Sequence, residues 1–252
     1  MTSSTPAIFT DWLTQLEARH LADLRVPEVT RALRALSSAY VERRHKVAAG
    51  ATLDTAGKRA AFALFYAPLH FLAASLVVQA LDAAAPPPTA IIDLGCGTGA
   101  AGAAWALAAG GSPSLLGIDR HPWAIEEARW TYRQLGLAGV ARQGDVSRVA
   151  RLAPGTAAIA AYTLNELGEA ARTRVQQTLL ESAGNGVRLL VLEPVARRIA
   201  PWWEAMATQI RVAGGRADEW KFPVELPPLL RLFDRAAGLN HRELKLRSLY
   251  LR

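Results

Sequence analysis

One cysteine, Cys96, is all that 252 residues contain. A disulfide within the chain is thereby excluded, and so is a cysteine-bound metal cluster. The five histidines, His20, His45, His70, His121 and His241, are scattered without ligand spacing, so no metal site is expected. The opening stretch Met1-Thr2-Ser3-Ser4-Thr5-Pro6 lacks the charged-then-apolar layout of a signal peptide. Together these absences point to a reducing, cytoplasmic home. Internal repeats and low-complexity tails are also lacking. What is present is an apolar fraction of 51%, enough for a substantial core, and a formal net charge of +7. That excess favours an anionic partner such as RNA, although an Arg- and Ala-rich composition alone also makes a protein basic.

One long uncharged run stands out. Between Ala60 and Leu81 there is no charged side chain, a length about that of a membrane span. Tyr66, Pro68, His70, Ser75 and Gln79 interrupt it, and much of the rest is alanine, so it reads as a buried helix and no membrane span is expected. Pro68 should kink or break this helix near Ala67.

The first third of the chain reads as helical. Thr10 or Asp11 can cap a first helix with Leu13, Leu16 and Leu24 on its apolar face. Pro27 suits the first turn of a second, in which Val29, Leu33, Leu36, Tyr40 and Val47 recur at spacings of one buried stripe. The run Ala83-Ala84-Ala85-Pro86-Pro87-Pro88 reads as a stiff linker. It divides a helical cap, residues 1–85, from a second domain, residues 86–252. There strands (90–94, 115–118, 140–143, 157–162 and 187–192) alternate with helices (100–109, 123–135, 169–182 and 201–212). This pattern predicts an α/β fold with a parallel sheet covered on both faces. Leu244, Leu246, Leu249 and Leu251, alternating with a break at Arg247-Ser248, predict a late, antiparallel strand.

The turn after the first strand carries Gly95, Gly97 and Gly99, with Asp93 closing the strand. A strand, a glycine turn and a helix N-terminus place free N–H groups at the end of a sheet, a nucleotide-binding arrangement. Two readings compete. Gly97-Thr98-Gly99-Ala100-Ala101-Gly102 fits the dinucleotide pattern G-x-G-x-x-G, with its first glycine about two residues late. The arrangement Asp93-x-Gly95-x-Gly97-x-Gly99 resembles the first motif of class I methyltransferases. S-adenosylmethionine has a cationic amino group and sulfonium and no pyrophosphate, so an acid beside the loop suits it. Asp119, ending the second strand, can accept the ribose hydroxyls. The resemblance pairs Asp145 with the adenine amino group and lets Val146 touch the ring through its backbone. Cys96, Arg120 and Tyr162 complete the expected cofactor-binding set. The implied fold is a Rossmann-like methyltransferase sheet with a helical N-terminal region.

The acceptor side falls past the fourth strand, at Tyr162-Thr163-Leu164-Asn165-Glu166-Leu167. Asn165 could orient an acceptor and Glu166 could take a proton or bind the cofactor's amino group, or both could simply cap the next helix. The Asn/Asp-Pro-Pro-aromatic motif of enzymes that methylate exocyclic amino groups is missing. So is a cysteine nucleophile for pyrimidine C5 chemistry. Glu193-Pro194 forms another rim element, and Trp202 and Trp203 either stack on a substrate or pack.

Taken in order, Leu36-Ser37-Ser38-Ala39-Tyr40, Phe65-Tyr66-Ala67-Pro68, Asp93 to Gly99, Asn165-Glu166-Leu167 and Leu192-Glu193-Pro194 resemble the methyltransferase-like family associated with the mitochondrial small ribosomal subunit, which has bacterial relatives. That resemblance implies association with ribosomal RNA and the small subunit. It also implies an iron–sulfur cluster held by cysteines past the Glu-Pro position, yet residues 195–220 contain no cysteine. Arg43-Arg44-His45-Lys46 and Lys58-Arg59 could grip phosphates, or serve a helix dipole. Three functions remain open: a methyltransferase, a non-catalytic S-adenosylmethionine-binding assembly module, and, remotely, a nicotinamide-dependent oxidoreductase.

Overall fold

The computed structural model describes residues 7–42, 53–195 and 200–252. The cluster Arg43 to Lys46, and Val47 of the expected second-helix stripe, lie outside them. The chain groups into two compact units, Met1–His70 with Phe222–Leu244, and Phe71–Lys221 with Lys245–Arg252. The division therefore differs from the one expected at 85/86, and the first unit takes in a late segment that no local sequence signal links to it.

In the first unit, α1 (Ala7–His20) buries Phe9, Trp12, Leu13 and Leu16, one stripe of a 3.6-residue period. It starts ahead of Thr10 and Asp11, which lie inside it, and it ends before Leu24. Helix α2 (Val26–Glu42) buries Val29, Leu33 and Leu36. Its start is tied by the Arg25 N–H, which donates to the Glu28 carboxylate at 2.8 Å, half of a capping box. The next helix, α3 (Ala56–Ala61), is capped by Thr55, whose hydroxyl accepts the Lys58 N–H at 3.3 Å. It widens into a π-helical turn, Phe62–Tyr66, and α4 (Ala67–Ala80) follows, passing into the second unit after His70.

That wide turn is how the helix gets past Pro68. A proline supplies no N–H and crowds the carbonyl four residues back. Here the Ala67 N–H already reaches five residues back to the Phe62 carbonyl, so the expected break becomes a local change of pitch. The helical stretch Ala56–Ala80 is long and apolar enough to cross a membrane, and 67% of its most apolar window is buried inside the protein.

The second unit is built on a sheet of order β3-β2-β1-β4-β5-β7-β6. Its strands are β1 (Ala90–Leu94), β2 (Ser114–Asp119), β3 (Gly139–Gln143), β4 (Ala157–Ala161), β5 (Arg188–Pro194), β6 (Arg216–Pro223) and β7 (Glu243–Leu251). β1 pairs parallel with β2 and β4, β2 with β3, and β4 with β5, while β7 runs antiparallel to β5, as its leucine alternation predicts. The crossover helices are α5 (Ala100–Ala108), α6 (Pro122–Gln134), α7 (Glu169–Ala183) and α8 (Trp203–Val212). β6, and a last helix α9 (Pro228–Ala236) that belongs to the first unit, have no counterpart in the sequence reading.

The pleat sorts the side chains. Ile92 and Leu94 of β1, Ala158 and Ala160 of β4, Leu189 and Val191 of β5, and Leu249 and Leu251 of β7 share one buried cluster with Val175 and Leu179 of α7 and Trp203 and Met206 of α8. The alternate residue of β1, Asp93, faces α5 instead. The run 83–88 is no free linker. The Ala83 carbonyl accepts hydrogen bonds from the Trp105 indole at 3.2 Å and from the Arg188 guanidinium, which also reaches the Pro86 carbonyl at 3.0 Å.

Candidate functional site

The sheet order reverses between β1 and β4. Strands on either side of that point send their crossovers to opposite faces, leaving a crevice at the carboxyl ends where ligands bind in open α/β sheets. The glycine loop after β1 and the segment after β4 face each other there. Thr163 ties them together: its hydroxyl donates to the Leu94 carbonyl at 2.9 Å and lies 3.3 Å from the Gly95 carbonyl. The approach is close enough to dictate glycine. Gly95 has a φ of +69°, and a β-carbon on it would stand 2.3 Å from Thr163 Cγ2.

Asp93 lies beneath this loop, 1% exposed. Its Oδ2 accepts the Gly102 N–H at 2.9 Å, and a β-carbon on Gly102 would stand 2.7 Å from that oxygen. The carboxylate thus locks the first turn of α5 against β1. Burial pushes its pKa up to about 7, against the lowering effect of the Gly102 hydrogen bond. The expected role, an acid facing the ligand's amino-acid end, is replaced by an acid that shapes the loop from below. Cys96 also turns inward. It is buried, its sulfur lies 3.6 Å from the Gly97 carbonyl, and Tyr132 packs against it. Burial drives the thiol pKa well above its ordinary value, so the side chain serves the packing beneath the loop and stays protonated.

Asp119 takes a different position. Its two oxygens accept the Gly97 N–H at 3.0 Å and the His121 N–H at 2.8 Å. It is half-buried, and each carboxylate oxygen keeps a second lone pair. Arg120 beside it is exposed, its carbonyl accepting from Gln143 at 3.0 Å. Asp145 is exposed at the end of β3 and caps the short 3-10 turn Val146–Arg148 by accepting the Ser147 N–H at 2.9 Å. Ser147 holds its carboxyl below the usual range. Val146 is buried in the cluster beneath.

Several donors in the loop remain unspent. Gly95, Cys96, Gly97, Gly99 and Gly102 commit their N–H groups to Ile118, Asp119, Cys96 and Asp93. Among the described residues, none accepts from the N–H groups of Thr98, Ala100 or Ala101. The Thr98 hydroxyl is likewise buried without a hydrogen-bond partner.

Past β4, Tyr162 has a φ of +60°, a strained backbone for a bulky residue. Its phenol pKa is raised by burial and then by the charge of Glu193. Asn165, in the 3-10 turn Leu164–Glu166, is joined to Glu193 by two hydrogen bonds. Its backbone N–H donates to Oε1 at 3.2 Å and its side-chain amide donates to Oε2. On the other side the Trp202 indole donates to Asn165 Oδ1 at 3.1 Å. Glu193 is fully buried, with its pKa pushed up to about 8 by burial. Arg247 faces it across the β5–β7 ladder, is also buried, and stacks over the Trp203 ring at 4.1 Å. Of the two tryptophans, Trp203 packs and Trp202 holds Asn165. Glu166 is half-buried beside them and raises the Glu193 pKa further.

The structure therefore gathers the glycine loop, Asp119, Tyr162, Asn165 and Glu166 at one end of the sheet. Thr163, Thr98 and Arg247 are site elements that the sequence reading missed. A polar residue at each strand's carboxyl end was the available signal for Thr163, and the break in the leucine alternation at Arg247-Ser248 was the one for Arg247.

No protein-family model matches the chain, and no curated protein matches it. Solved structures do. Mitomycin 7-O-methyltransferase MmcR aligns over 98% of this chain and 73% of its own, at 17% identity and a TM-score of 0.53. The magnesium protoporphyrin IX methyltransferase ChlM from Synechocystis PCC 6803 with bound SAM aligns over 73% and 80%, at 15% identity and a TM-score of 0.47. A TehB-like SAM-dependent methyltransferase from Corynebacterium glutamicum aligns over 86% and 99%, at 16% identity and a TM-score of 0.44. At such identities a likeness speaks of fold, and the chain has the Rossmann-like α/β fold of a class I methyltransferase sheet with a helical N-terminal region.

Proposed function

We propose that this protein is an S-adenosylmethionine-dependent methyltransferase whose cofactor sits in the crevice between the loops after β1 and β4. The observation that carries the reading is the unspent donor set of Thr98, Ala100 and Ala101 at the N-terminus of α5, beside the half-buried Asp119. Free N–H groups at a helix start suit a carboxylate, and an acid at the end of β2 suits ribose hydroxyls. When bound, the cofactor supplies a methyl group activated by its sulfonium. Asp119 would hold the ribose, with Arg120 alongside. Asp145 and the Val146 backbone would meet the adenine. Tyr162, Asn165 and Glu166 would line the acceptor side, where alignment and exclusion of water matter most.

Calorimetry with S-adenosylmethionine and with NAD tests the cofactor. Binding of the first and not the second is expected, abolished by Asp119→Ala; NAD binding alone overturns the reading. Transfer of a tritiated methyl group to cell RNA, protein and small-molecule fractions tests the enzyme. Cofactor binding with no labelled product in any fraction makes the protein a binding module instead. RNA is the acceptor class favoured by the net charge of +7 and by the resemblance to ribosome-associated methyltransferase-like proteins. Label in that fraction, with binding that weakens steeply between 50 and 200 mM salt, is the expected result.

A further inference from the structure

The arrangement around Asn165 fixes more than its place. An asparagine amide has one end that accepts and one that donates, and the two look alike in shape. The Trp202 indole can only donate, so the end facing it at 3.1 Å must be Oδ1. Nδ2 then faces Glu193 Oε2, while the Asn165 backbone N–H occupies Oε1. Once ionised, above its pKa of about 8, the carboxyl group accepts at both oxygens from Asn165. Behind it, Arg247 lies on the same sheet face in register with Glu193 and buried on Trp203, a cation placed to keep the carboxyl group in the core. A single flip of the amide would set donor against donor at Trp202 and acceptor against acceptor at Glu193. Asn165 nevertheless remains half-exposed, with one Nδ2–H outside these bonds.

We propose that Glu193 and Trp202 are positioning residues that clamp the Asn165 amide in one orientation, so that the segment after β4 offers a fixed N–H donor and selects a ligand group with a lone pair to give. That group is a carboxylate, a carbonyl or an unprotonated nitrogen, supplied either by the cofactor's amino-acid end or by the methyl acceptor. The proposal rests on the S-adenosylmethionine reading for the identity of the ligand, and on geometry alone for the clamp.

Two measurements on the full chain separate these. In 15N spectra the Trp202 indole N–H, assigned by its loss in Trp202→Phe, reports the clamp without any ligand. Above pH 8, where Glu193 is ionised, Glu193→Gln keeps the volume but puts an NH2 where one of two donors needs an acceptor. It should shift both the Trp202 indole and the Asn165 side-chain amide resonances, with the fold retained by circular dichroism. Unmoved resonances overturn the clamp. The second measurement is affinity for S-adenosylmethionine and for methylthioadenosine, which lacks the amino-acid end, together with the KM of the labelled fraction. Glu193→Gln, Trp202→Phe and Asn165→Ala should each weaken one of these about tenfold, the worth of one hydrogen bond to a charged group. In the Asn165→Ala background the other two changes should add nothing. Loss for S-adenosylmethionine but not methylthioadenosine assigns the cofactor's carboxylate; a raised KM at unchanged affinity assigns the acceptor. Additive losses, or none, overturn the proposal. Wild-type protein that binds no S-adenosylmethionine defeats the function reading, and the clamp is then judged by the resonances.

Discussion

At the scale of single residues, the site is set by what cannot be enlarged and by what is buried with a charge to lose. Gly95→Ala adds a β-carbon at positive φ and 2.3 Å from Thr163 Cγ2. Left-handed backbone costs about 1–2 kcal/mol for an L residue and overpacking about 1–3 kcal/mol. Destabilisation of roughly 2–5 kcal/mol by urea unfolding is expected, with loss of cofactor binding. Asp93 gives a pH effect of definite sign. Its native pKa of about 7 stands above the ordinary aspartate value of 3.8, so the folded protein keeps a proton that the unfolded chain has released. Its contribution is complete below pH 4 and is lost as pH rises through 7, on the order of a few kcal/mol. Asn can still accept the Gly102 N–H through its carbonyl. In Asp93→Asn the fall in melting temperature between pH 5 and pH 8 should therefore shrink; an unchanged slope would show that Asp93 does not titrate there.

Elements were legible where one force dominates. β1, β4 and β5 are apolar runs bounded by turn residues, and β5 is buried along nearly its whole length because helices cover both faces of a parallel sheet. β6 was missed because Arg216-Ala-Asp-Glu-Trp-Lys-Phe-Pro alternates between exposed and half-buried, the polar pattern of an edge strand. The inward turn of Asp93 was missed for a related reason. Spacing puts an acid at the end of β1, but only the pleat, with Ile92 and Leu94 committed to the opposite cluster, decides that it meets α5. Composition also misread residues 83–88. Three prolines announce stiffness, while the anchoring comes from Arg188, over a hundred positions away in sequence. Arg188→Met should leave the exposed Pro86 carbonyl to water and weaken the hold on Ala83. A loss of about 1–3 kcal/mol is expected. Faster limited proteolysis between residues 83 and 88 than in wild type is the measurement, and equal rates would count against the anchor.

On the scale of the whole molecule, two compact units are woven from a chain that leaves the first at His70 and returns to it at Phe222. No local signal could disclose that return, since α9 is chosen for the first unit by tertiary packing; Arg34 reaches the Ala236 carbonyl at 2.9 Å across about two hundred residues of sequence. The proposed function rests on the loop and strand ends, where ligand chemistry confines residue types. The setting of Asn165 was legible only in part, because its partner Glu193 lies on another strand.

The inward-facing Cys96 gives the molecule a single built-in probe. It is the chain's sole thiol, 7% exposed, packed against Tyr132 under the loop that would cradle the cofactor, and held in its unreactive protonated form. Alkylating reagents can reach it only when the loop opens, so the labelling rate of native protein is a clock for that opening. Iodoacetamide should modify Cys96 far more slowly than it does in urea, and more slowly still with S-adenosylmethionine bound, a difference that mass spectrometry reads without knowledge of the methyl acceptor.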